Sequence, residues 1–141
     1  MPRQIFPYPY KEKESGIFGK TKRPLIDLRI FSETRRNWLL VAEVLADTGA
    51  DISILPRTIG EELVSDIKKG RYLEIRGITP GAYTEVFIHN LICKIGESFK
   101  FKAPFAIADS DDVPPILGRF KGLDLFEAIF YRGKETRLLT E

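Results

Sequence analysis

Histidine and cysteine are nearly absent from this chain of 141 residues, which contains one of each, His89 and Cys93. A disulfide within the chain needs two cysteines and a closed zinc site needs about four Cys or His ligands, so both are excluded. The acidic segment Asp109–Asp112 lacks the glycine and the final acid of a calcium loop, and we interpret it as a solvated loop. Cys93 is interpreted as a core residue. We therefore expect no metal and no other cofactor.

Long apolar runs and a strong excess of one charge are also missing. No run approaches the roughly 20 apolar residues of a transmembrane helix, and no basic-then-apolar segment typical of a signal peptide opens the sequence. Lys and Arg number 22 and Asp and Glu number 20, and the resulting net charge of +2 creates no general attraction for nucleic acid. We therefore expect a cytoplasmic protein with neither a membrane nor a nucleic acid as its partner.

Composition divides the chain near residue 24. Residues 1–24 hold four prolines, and residues 1–36 hold nine Lys or Arg against four Asp or Glu. We predict an N-terminal arm over residues 1–24 and a single domain over residues 25–141. The arm is interpreted as a partly extended, solvated edge segment, and an anion-binding or substrate-steering arm is the alternative.

Alternation of apolar and polar residues, the pattern of half-buried strands, recurs through the domain. Two helices are also predicted: one starts at Thr58, with Glu61 at the reciprocal capping-box position, and ends at Gly70. The other covers Gly122–Ala128. The predicted strands are Ile26–Ile30, Leu39–Ala46, Arg71–Arg76, Val86–Ile95, Phe99–Lys102 and Phe105–Ala108. The fold class is therefore mainly β, a barrel or sandwich with one or two short helices.

An acidic residue stands at the end of the most continuous apolar segment. Leu39–Ala46 is nearly uninterrupted by polar residues and is followed directly by Asp47–Asp51, with the sequence DTGAD. A carboxylate in this position is not on a solvated face, so it must be hydrogen-bonded, paired or functional. An Asx-type turn between two strands is the alternative without a function.

Three segments in a fixed order resemble one protein family. Leu45–Asp51 (LADTGAD) resembles the active-site signature of the retropepsin-like (clan AA) aspartic proteases, and Pro115–Arg119 (PILGR) resembles their second signature. Between them, Ile75–Ala82 lies where the family carries its flap hairpin. The resemblance covers roughly residues 25–131, and the chain is identified as similar to single-domain members of prokaryotic or cellular type. It implies a retropepsin-like acid protease barrel.

The resemblance implies that Asp47 is the catalytic carboxylate and that Thr48 and Gly49 complete the catalytic motif. The Thr48 hydroxyl would brace the motif against the backbone of a partner chain. Because the chain has a single such motif, two copies would have to bring their Asp47 residues together in a homodimer. Two close carboxylates share a proton and activate a water. The implied activity is that of a homodimeric aspartic endopeptidase with a peptide or protein substrate.

The resemblance also implies a set of substrate-binding residues. Ala50 stands where the family has Ala or Ser, and without a hydroxyl the carboxylates should ionise less readily, which favours weakly acid to near-neutral pH. Asp51 and Arg119 match a family ion pair near the ends of the substrate. The substrate-binding set is Ala50, Asp51, Gly77, Ile78, Thr79, Pro80, Gly81 and Arg119, and Ile54, Ile78, Val113 and Ile116 are expected to line the cleft.

Two segments depart from the family pattern. Pro80 in the flap-like turn fixes a backbone dihedral and removes an amide donor, which affects how this turn could bind substrate. Phe120 follows Gly118 and Arg119, where retroviral members have Asp or Asn. The rest of the tail is more similar to prokaryotic members. We therefore expect it not to form the interleaved terminal sheet that joins retroviral dimers.

Two other functions fit parts of the sequence. The first has the same fold without catalytic activity: a catalytically idle dimer that acts as a peptide-binding or assembly module. In such a protein Asp47→Asn would leave binding and assembly unchanged. The second is a small β-barrel that binds anions or nucleic acid through its basic N-terminal third, and salt-dependent retention on a phosphate-bearing matrix would favour it.

Overall fold

The computed structural model describes residues 3–76 and 81–141. This part of the chain is built mainly from β-strands, with a single α-helix and two short 3₁₀ helices. The strands are β1 (Ile5–Pro9), β2 (Lys11–Ser15), β3 (Gly19–Arg23), β4 (Leu25–Ser32), β5 (Asn37–Ala46), β6 (Ser53–Leu55), β7 (Arg71–Arg76), β8 (Tyr83–Ile95), β9 (Phe99–Ala108), β10 (Ile116–Leu117), β11 (Glu127–Tyr131) and β12 (Glu135–Leu139). The α-helix is α1 (Arg57–Leu63), and the 3₁₀ helices are Ile67–Lys69 and Leu123–Leu125.

Six strands close into a barrel in the order β4-β5-β10-β6-β9-β8, and β8 returns to pair with β4. The closing contact is the antiparallel pairing of Arg29 with Lys94 and of Ile30 with Cys93. β8 can serve three neighbours because it is thirteen residues long. Its first half pairs with β7, its second half reaches β4, and β9 runs beside most of its length. The mainly-β prediction is confirmed, with six strands closed into a barrel.

The barrel interior is filled by the apolar residues of the alternating strands. Ile26, Leu28 and Ile30 on β4 are fully buried, as the alternation with Asp27 and Arg29 predicted. Cys93 is also fully buried, and burial raises the pKa of its thiol to about 12. Its interpretation as a core residue is confirmed.

The N-terminal residues form two further pieces of sheet. β2 and β3 make a charged hairpin, and β1 pairs antiparallel with β12 from the other end of the described chain. Phe6 and Tyr8 of β1 pack against the core. β11 pairs with the other side of β12, so this three-stranded sheet has the order β1-β12-β11 within one chain. The division of the chain at residue 24 stays a prediction.

The first predicted helix is shorter than expected and is capped differently. α1 ends at Leu63, and Ile67 begins a separate 3₁₀ helix. Thr58 is not the cap, since Pro56 occupies that position without a side-chain bond, and Glu61 pairs with Arg57 at 3.2 Å. Gly70 has an extended φ of −70° rather than the predicted left-handed conformation.

The capping group of α1 comes instead from the predicted solvated loop. The N–H of Thr58 donates to Asp111 Oδ1 at 2.8 Å and its hydroxyl donates to Oδ2 at 2.6 Å. These two hydrogen bonds hold the pKa of the Asp111 carboxyl below its usual value. Capping by a residue from a distant loop leaves no mark in the local sequence of the helix.

Two other local predictions were wrong. Gly122–Ala128 contains only the short 3₁₀ helix Leu123–Leu125, and from Glu127 onward the chain is strand β11 because β12 pairs with it. The segments on either side of Pro104 form one strand, β9, rather than two. No helix among residues 3–76 and 81–141 is long and apolar enough to cross a membrane.

Candidate active site

The floor of the candidate site is made where β5 ends. β10 lies parallel to the last residues of β5, with Ile116 beside Leu45 and Leu117 beside Ala46. The N–H of Asp47, the next residue, donates to the Leu117 carbonyl at 3.1 Å. Asp47 is therefore held by the barrel through its backbone, at the point where the apolar strand stops.

The loop Asp47–Asp51 folds back on the Asp47 carboxylate. Asp47 Oδ1 accepts the N–H of Gly49 at 2.9 Å, and the Asp47 carbonyl accepts the N–H of Ala50 at 3.2 Å. This is an Asx-type turn. A Cβ at position 49 would lie 3.2 Å from Oδ1, so glycine leaves room for the carboxylate. Asp47 is half-buried, while Thr48 and Gly49 are exposed. The turn thus fixes one carboxylate oxygen and leaves the other free of a protein donor among the described residues.

The second signature supports this loop from below. The N–H groups of Arg119 and Phe120 donate to the carbonyls of Ala50 and Asp51 at 3.0 and 2.9 Å. The N–H of Gly118 donates to the buried hydroxyl of Ser53 at 3.0 Å. These bonds tie the two signatures together although they are more than sixty residues apart in sequence.

Gly118 is the tightest point of this contact. A Cβ built there would lie 2.4 Å from the Ile52 carbonyl oxygen and 2.9 Å from that of Ala50. Real Cβ atoms do not approach backbone atoms so closely, and the backbone has little freedom to give in a packed interior. Glycine is therefore required by the close approach of two backbone segments, and not by an unusual dihedral angle.

Asp51 and Arg119 form an ion pair, as the resemblance implied. The Asp51 side chain is 85% exposed and that of Arg119 is 48% exposed. An exposed pair of this kind contributes little to stability. Its main effect is to hold the Arg119 guanidinium at the end of the loop, because the backbones of the same two segments are already joined there.

An open cleft of about 820 Å³ lies over the loop. Its floor includes Asp47, Gly49 and Ala50, and its opposite wall is β7. On β7 the hydroxyl of Tyr72 donates to Glu74 Oε1 at 2.9 Å, and this bond raises the pKa of Tyr72 to about 12. The other residues lining the cleft, mostly apolar, are Asp51, Ile52, Ile54, Leu73, Glu74, Ile75, Arg76 and Ile116. The cleft can accommodate an extended chain with apolar side chains next to a carboxylate.

The structure brings together most of the predicted site residues that it describes. Asp47, Gly49, Ala50 and Asp51 line the cleft, and Arg119 contacts Asp51. The flap residues Gly77, Ile78, Thr79 and Pro80 lie outside the described residues. Gly81 follows them with a φ of +83° and is exposed. Of the expected cleft residues, Ile54 and Ile116 line the cleft and Val113 does not, although Val113 and Ile54 pack against the same cluster of Val86, Ala106 and Ala108.

Sequence reasoning missed several residues of the site. Leu73 to Arg76 form the second wall, although Arg71–Arg76 was predicted as a strand leading into the flap-like turn. That strand was the signal, because the resemblance places it directly before the turn that is expected to cover the site. Ser53 was missed since a lone serine in a short apolar strand does not reveal its distant partner.

The donor set at the cleft does not suggest a metal. Residues 3–76 and 81–141 contain no group of three or more His, Cys, Asp and Glu side chains placed to hold an ion. Three carboxylates line the cleft, those of Asp47, Asp51 and Glu74; Asp51 is paired with Arg119, and Glu74 accepts the hydroxyl of Tyr72. A pair of Asp47 carboxylates would need a second copy of the chain.

In this chain a closed barrel carries an Asp-Thr-Gly loop to the floor of an open cleft. The fold is retropepsin-like. No protein-family model and no curated protein matches the sequence.

Two solved structures are similar to this chain. The first is a retropepsin-like aspartic protease from Rickettsia conorii, with 17% sequence identity and a TM-score of 0.65 over 99% of this chain and 94% of that one. The second is EIAV protease complexed with the inhibitor HBY-793, with 30% identity and a TM-score of 0.47 over 70% of this chain and 83% of that one. The first comparison, at this low identity, supports the fold.

Proposed function

We propose that this protein is an aspartic endopeptidase that is active as a homodimer, with Asp47 of each chain forming the catalytic pair. The observation that carries the proposal is the position of Asp47. Its carboxylate is half-buried at the floor of the cleft and fixed at one oxygen by the Gly49 N–H, and backbone hydrogen bonds join its loop to the second signature. Such rigid placement is what general acid–base catalysis needs.

The reaction follows from one shared proton. The ionised carboxylate takes a proton from a water, whose oxygen attacks the peptide carbonyl carbon, while the protonated carboxyl gives its proton to the carbonyl oxygen. The tetrahedral intermediate then loses the amine, which is protonated as the C–N bond breaks. No covalent bond forms between enzyme and substrate, and no metal or other cofactor takes part.

The remaining residues of the site would bind and position. In the proposal Thr48, exposed in the single chain, donates its hydroxyl to the partner's backbone and braces the pair. The backbone of Gly49 and Ala50 contacts the substrate, and the pair formed by Asp51 and Arg119 orients the loop near the substrate ends. Gly77–Gly81 would cover the substrate. The apolar lining of the cleft favours apolar side chains on either side of the cleaved bond.

Cleavage of a diverse peptide pool between pH 3 and 7.5 tests the proposal. The expected result is that Asp47→Asn lowers cleavage by at least about 10³-fold, the size of a lost general acid–base contribution. Asp124→Asn is the matched control, since Asp124 is exposed and lies outside the cleft, and it should keep full activity. Cleavage that survives Asp47→Asn would contradict the proposal.

The dependence on pH and concentration sharpens this test. Because one carboxylate must be protonated and the other ionised, activity should fall at both ends of the pH range. Activity per chain should also rise with protein concentration as dimers form. If wild type and Asp47→Asn are equally inactive where the wild type is dimeric, the peptide-binding or assembly module becomes the better explanation.

A further inference from the structure

The two free edges of the terminal sheet differ in chemistry. This sheet, β1-β12-β11, exposes one edge of β1 and one edge of β11. Hydrogen bonds at the two ends of the β1–β12 pairing show which residues of β1 direct their backbone groups toward β12. Tyr10 N–H donates to the Lys134 carbonyl at 2.9 Å, and Thr140 N–H donates to the Gln4 carbonyl at 3.0 Å. In an antiparallel ladder bonding alternates along each strand, so Phe6 and Tyr8 also bond toward β12.

The free edge of β1 is therefore formed by Ile5, Pro7 and Pro9. Proline has no N–H, so two of the three outward positions cannot donate a hydrogen bond to another strand. Prolines at outward positions are a common means of protecting an edge from pairing. The β1 edge is closed to strand addition.

The free edge of β11 has the opposite character. The same alternation makes Glu127, Ile129 and Tyr131 bond toward β12, which leaves Ala128 and Phe130 with outward backbone groups. These N–H and C=O groups have no hydrogen-bond partner among residues 3–76 and 81–141. The strand contains no proline and no lysine, and its one charged residue, Glu127, is paired with Arg3. This edge is open to strand addition.

We propose that β11 pairs antiparallel with β11 of a second copy of this chain, with the two-fold axis at Ile129. In this register Ala128 of each chain lies opposite Phe130 of the other, and each such pair exchanges both of its hydrogen bonds. Every outward backbone group of Ala128 and Phe130 is then satisfied. The two Ile129 side chains meet on the outer face, and Glu127 lies opposite Tyr131 rather than opposite another acid.

A second copy fits this edge better than an unrelated strand for two reasons. The register is self-complementary, because the outward groups lie symmetrically about Ile129. The edge is also joined to the candidate site by backbone hydrogen bonds, since Leu123 N–H donates to the Gly118 carbonyl at 2.8 Å and Phe126 N–H donates to that of Leu123 at 3.0 Å. The inference rests on the proposed function, whose site is incomplete without a partner carboxylate.

The pairing gives a six-stranded sheet across the dimer, with each terminal strand kept in its own chain. Within one chain both sides of β12 are already occupied, by β1 and by β11. Chains can then associate and separate without unfolding their termini. The expected interface is small, so dissociation at low concentration should be readily measured.

Charge substitution at the two-fold axis tests the inference by sedimentation velocity. Ile129→Glu and Ile129→Lys each place like charges opposite one another and should weaken the dimer at least about tenfold. An equimolar mixture of the two variants should dimerise again, because opposite charges then meet. Ile5→Glu is the matched control: Ile5 is on the closed β1 edge and 57% exposed, and its substitution should leave the dimer unchanged.

A cysteine variant keeps the test valid if the charged variants fold poorly. Non-hydrogen-bonded antiparallel pairs place their Cα atoms about 4.5 Å apart, a distance within the range that disulfides span. Ile129→Cys should therefore form a cross-linked dimer on mild oxidation, whereas Ile5→Cys should not, and the buried Cys93 should not contribute. Failure of Ile129→Cys to cross-link would overturn the inference.

Sedimentation and peptide cleavage, measured on the same samples, separate the two proposals. A wild type that stays monomeric overturns the inference, as does a dimer that is insensitive to charge at position 129. If that insensitive dimer still cleaves peptides in an Asp47-dependent way, the proposed function stands alone. A dimer that dissociates with Ile129→Glu but never cleaves peptides supports the inference and contradicts the function.

Discussion

The two walls of the cleft are built in opposite ways. The wall that carries Asp47 is backed by β5, β6 and β10, and a buried N–H of Gly118 bonds the buried hydroxyl of Ser53. The wall formed by β7 is paired only with β8 in the described part of the chain, and of its residues only Ile75 is partly buried. Such exposed strands open at low free-energy cost. In the proposed enzyme the first wall would hold the Asp47 carboxylate in place, and the wall formed by β7 would adapt to the substrate.

Gly118→Ala should have the largest effect on the wall that carries Asp47. Its Cβ would meet two backbone carbonyls, so we expect destabilisation of about 3 kcal/mol or more, at the upper end for an overpacked interior. Urea unfolding measures the change. Gly16→Ala makes the same chemical change where no atom lies within 4 Å, and it should leave stability almost unaltered. If both substitutions changed the free energy of unfolding equally, the close backbone contact at Gly118 would not explain the loss of stability.

Removing the buried hydroxyl of Ser53 should have the next largest effect. Ser53→Ala leaves the Gly118 N–H without a partner, and a buried unsatisfied donor costs about 1–3 kcal/mol. Cleavage activity should fall with stability, because the loop that carries Asp47 rests on this contact.

Ser32→Ala is the matched control for Ser53→Ala. Ser32 is equally buried, but its hydroxyl donates to the Glu62 carbonyl at the end of α1, outside the cleft. It should lower the free energy of unfolding while leaving kcat of the folded enzyme unchanged. If both serine variants reduce kcat equally, the rigid wall has no special role.

The exposed wall should respond in activity and not in stability. Leu73→Ala on β7 should raise KM several-fold, since Leu73 lines the cleft, and its effect on unfolding should stay within about 0.5 kcal/mol. Ile92→Ala is a close control, because Ile92 is 48% exposed against 47% for Leu73 and lies outside the cleft. If Ile92→Ala raised KM by the same factor, the effect would not be specific to the cleft, and β7 would not be assigned to the substrate site.

Asp51→Asn should have only a small effect on stability, and one that depends on salt. The ion pair with Arg119 is largely exposed, so its loss should cost no more than about 1 kcal/mol and should matter less at high salt. Thermal unfolding at low and high ionic strength measures this. A large, salt-independent loss would indicate that the pair supports the loop rather than orienting it.

Sequence reasoning succeeded where a pattern is local. The alternation in β4, the apolar segment of β5 and the position of Asp47 at its end can all be seen in a few consecutive residues, and they predicted a mainly-β barrel or sandwich and singled out Asp47. The two signatures could be linked only through the family resemblance. Their physical link, the contact of Gly118 with Ile52, depends on backbone atoms that no local pattern describes.

The errors fall where a distant segment decides the local structure. Leu123 and Phe126 have the apolar spacing that predicted a helix over residues 122–128, but the helical turn ends at Leu125, and pairing with β12 makes the chain a strand from Glu127 onward. The cap of α1 comes from Asp111, more than fifty residues after Thr58. Tertiary contacts override weak local propensities in both cases. The flap-like segment predicted over Ile75–Ala82 includes residues 77–80, which lie outside the described residues, and it stays a prediction.

The pairing of β1 with β12 has a consequence for how the protein is made. Ile5 lies opposite Leu139, so β1 leaves the ribosome long before the strand that will receive it has been translated. At about 5–20 residues per second, this delay lasts roughly ten seconds, during which β1 has no partner strand. During this time Pro7 and Pro9, which have no N–H, make it harder for β1 to pair with strands of other molecules. The two prolines therefore disfavour unwanted strand pairing both in the nascent chain and in the folded protein.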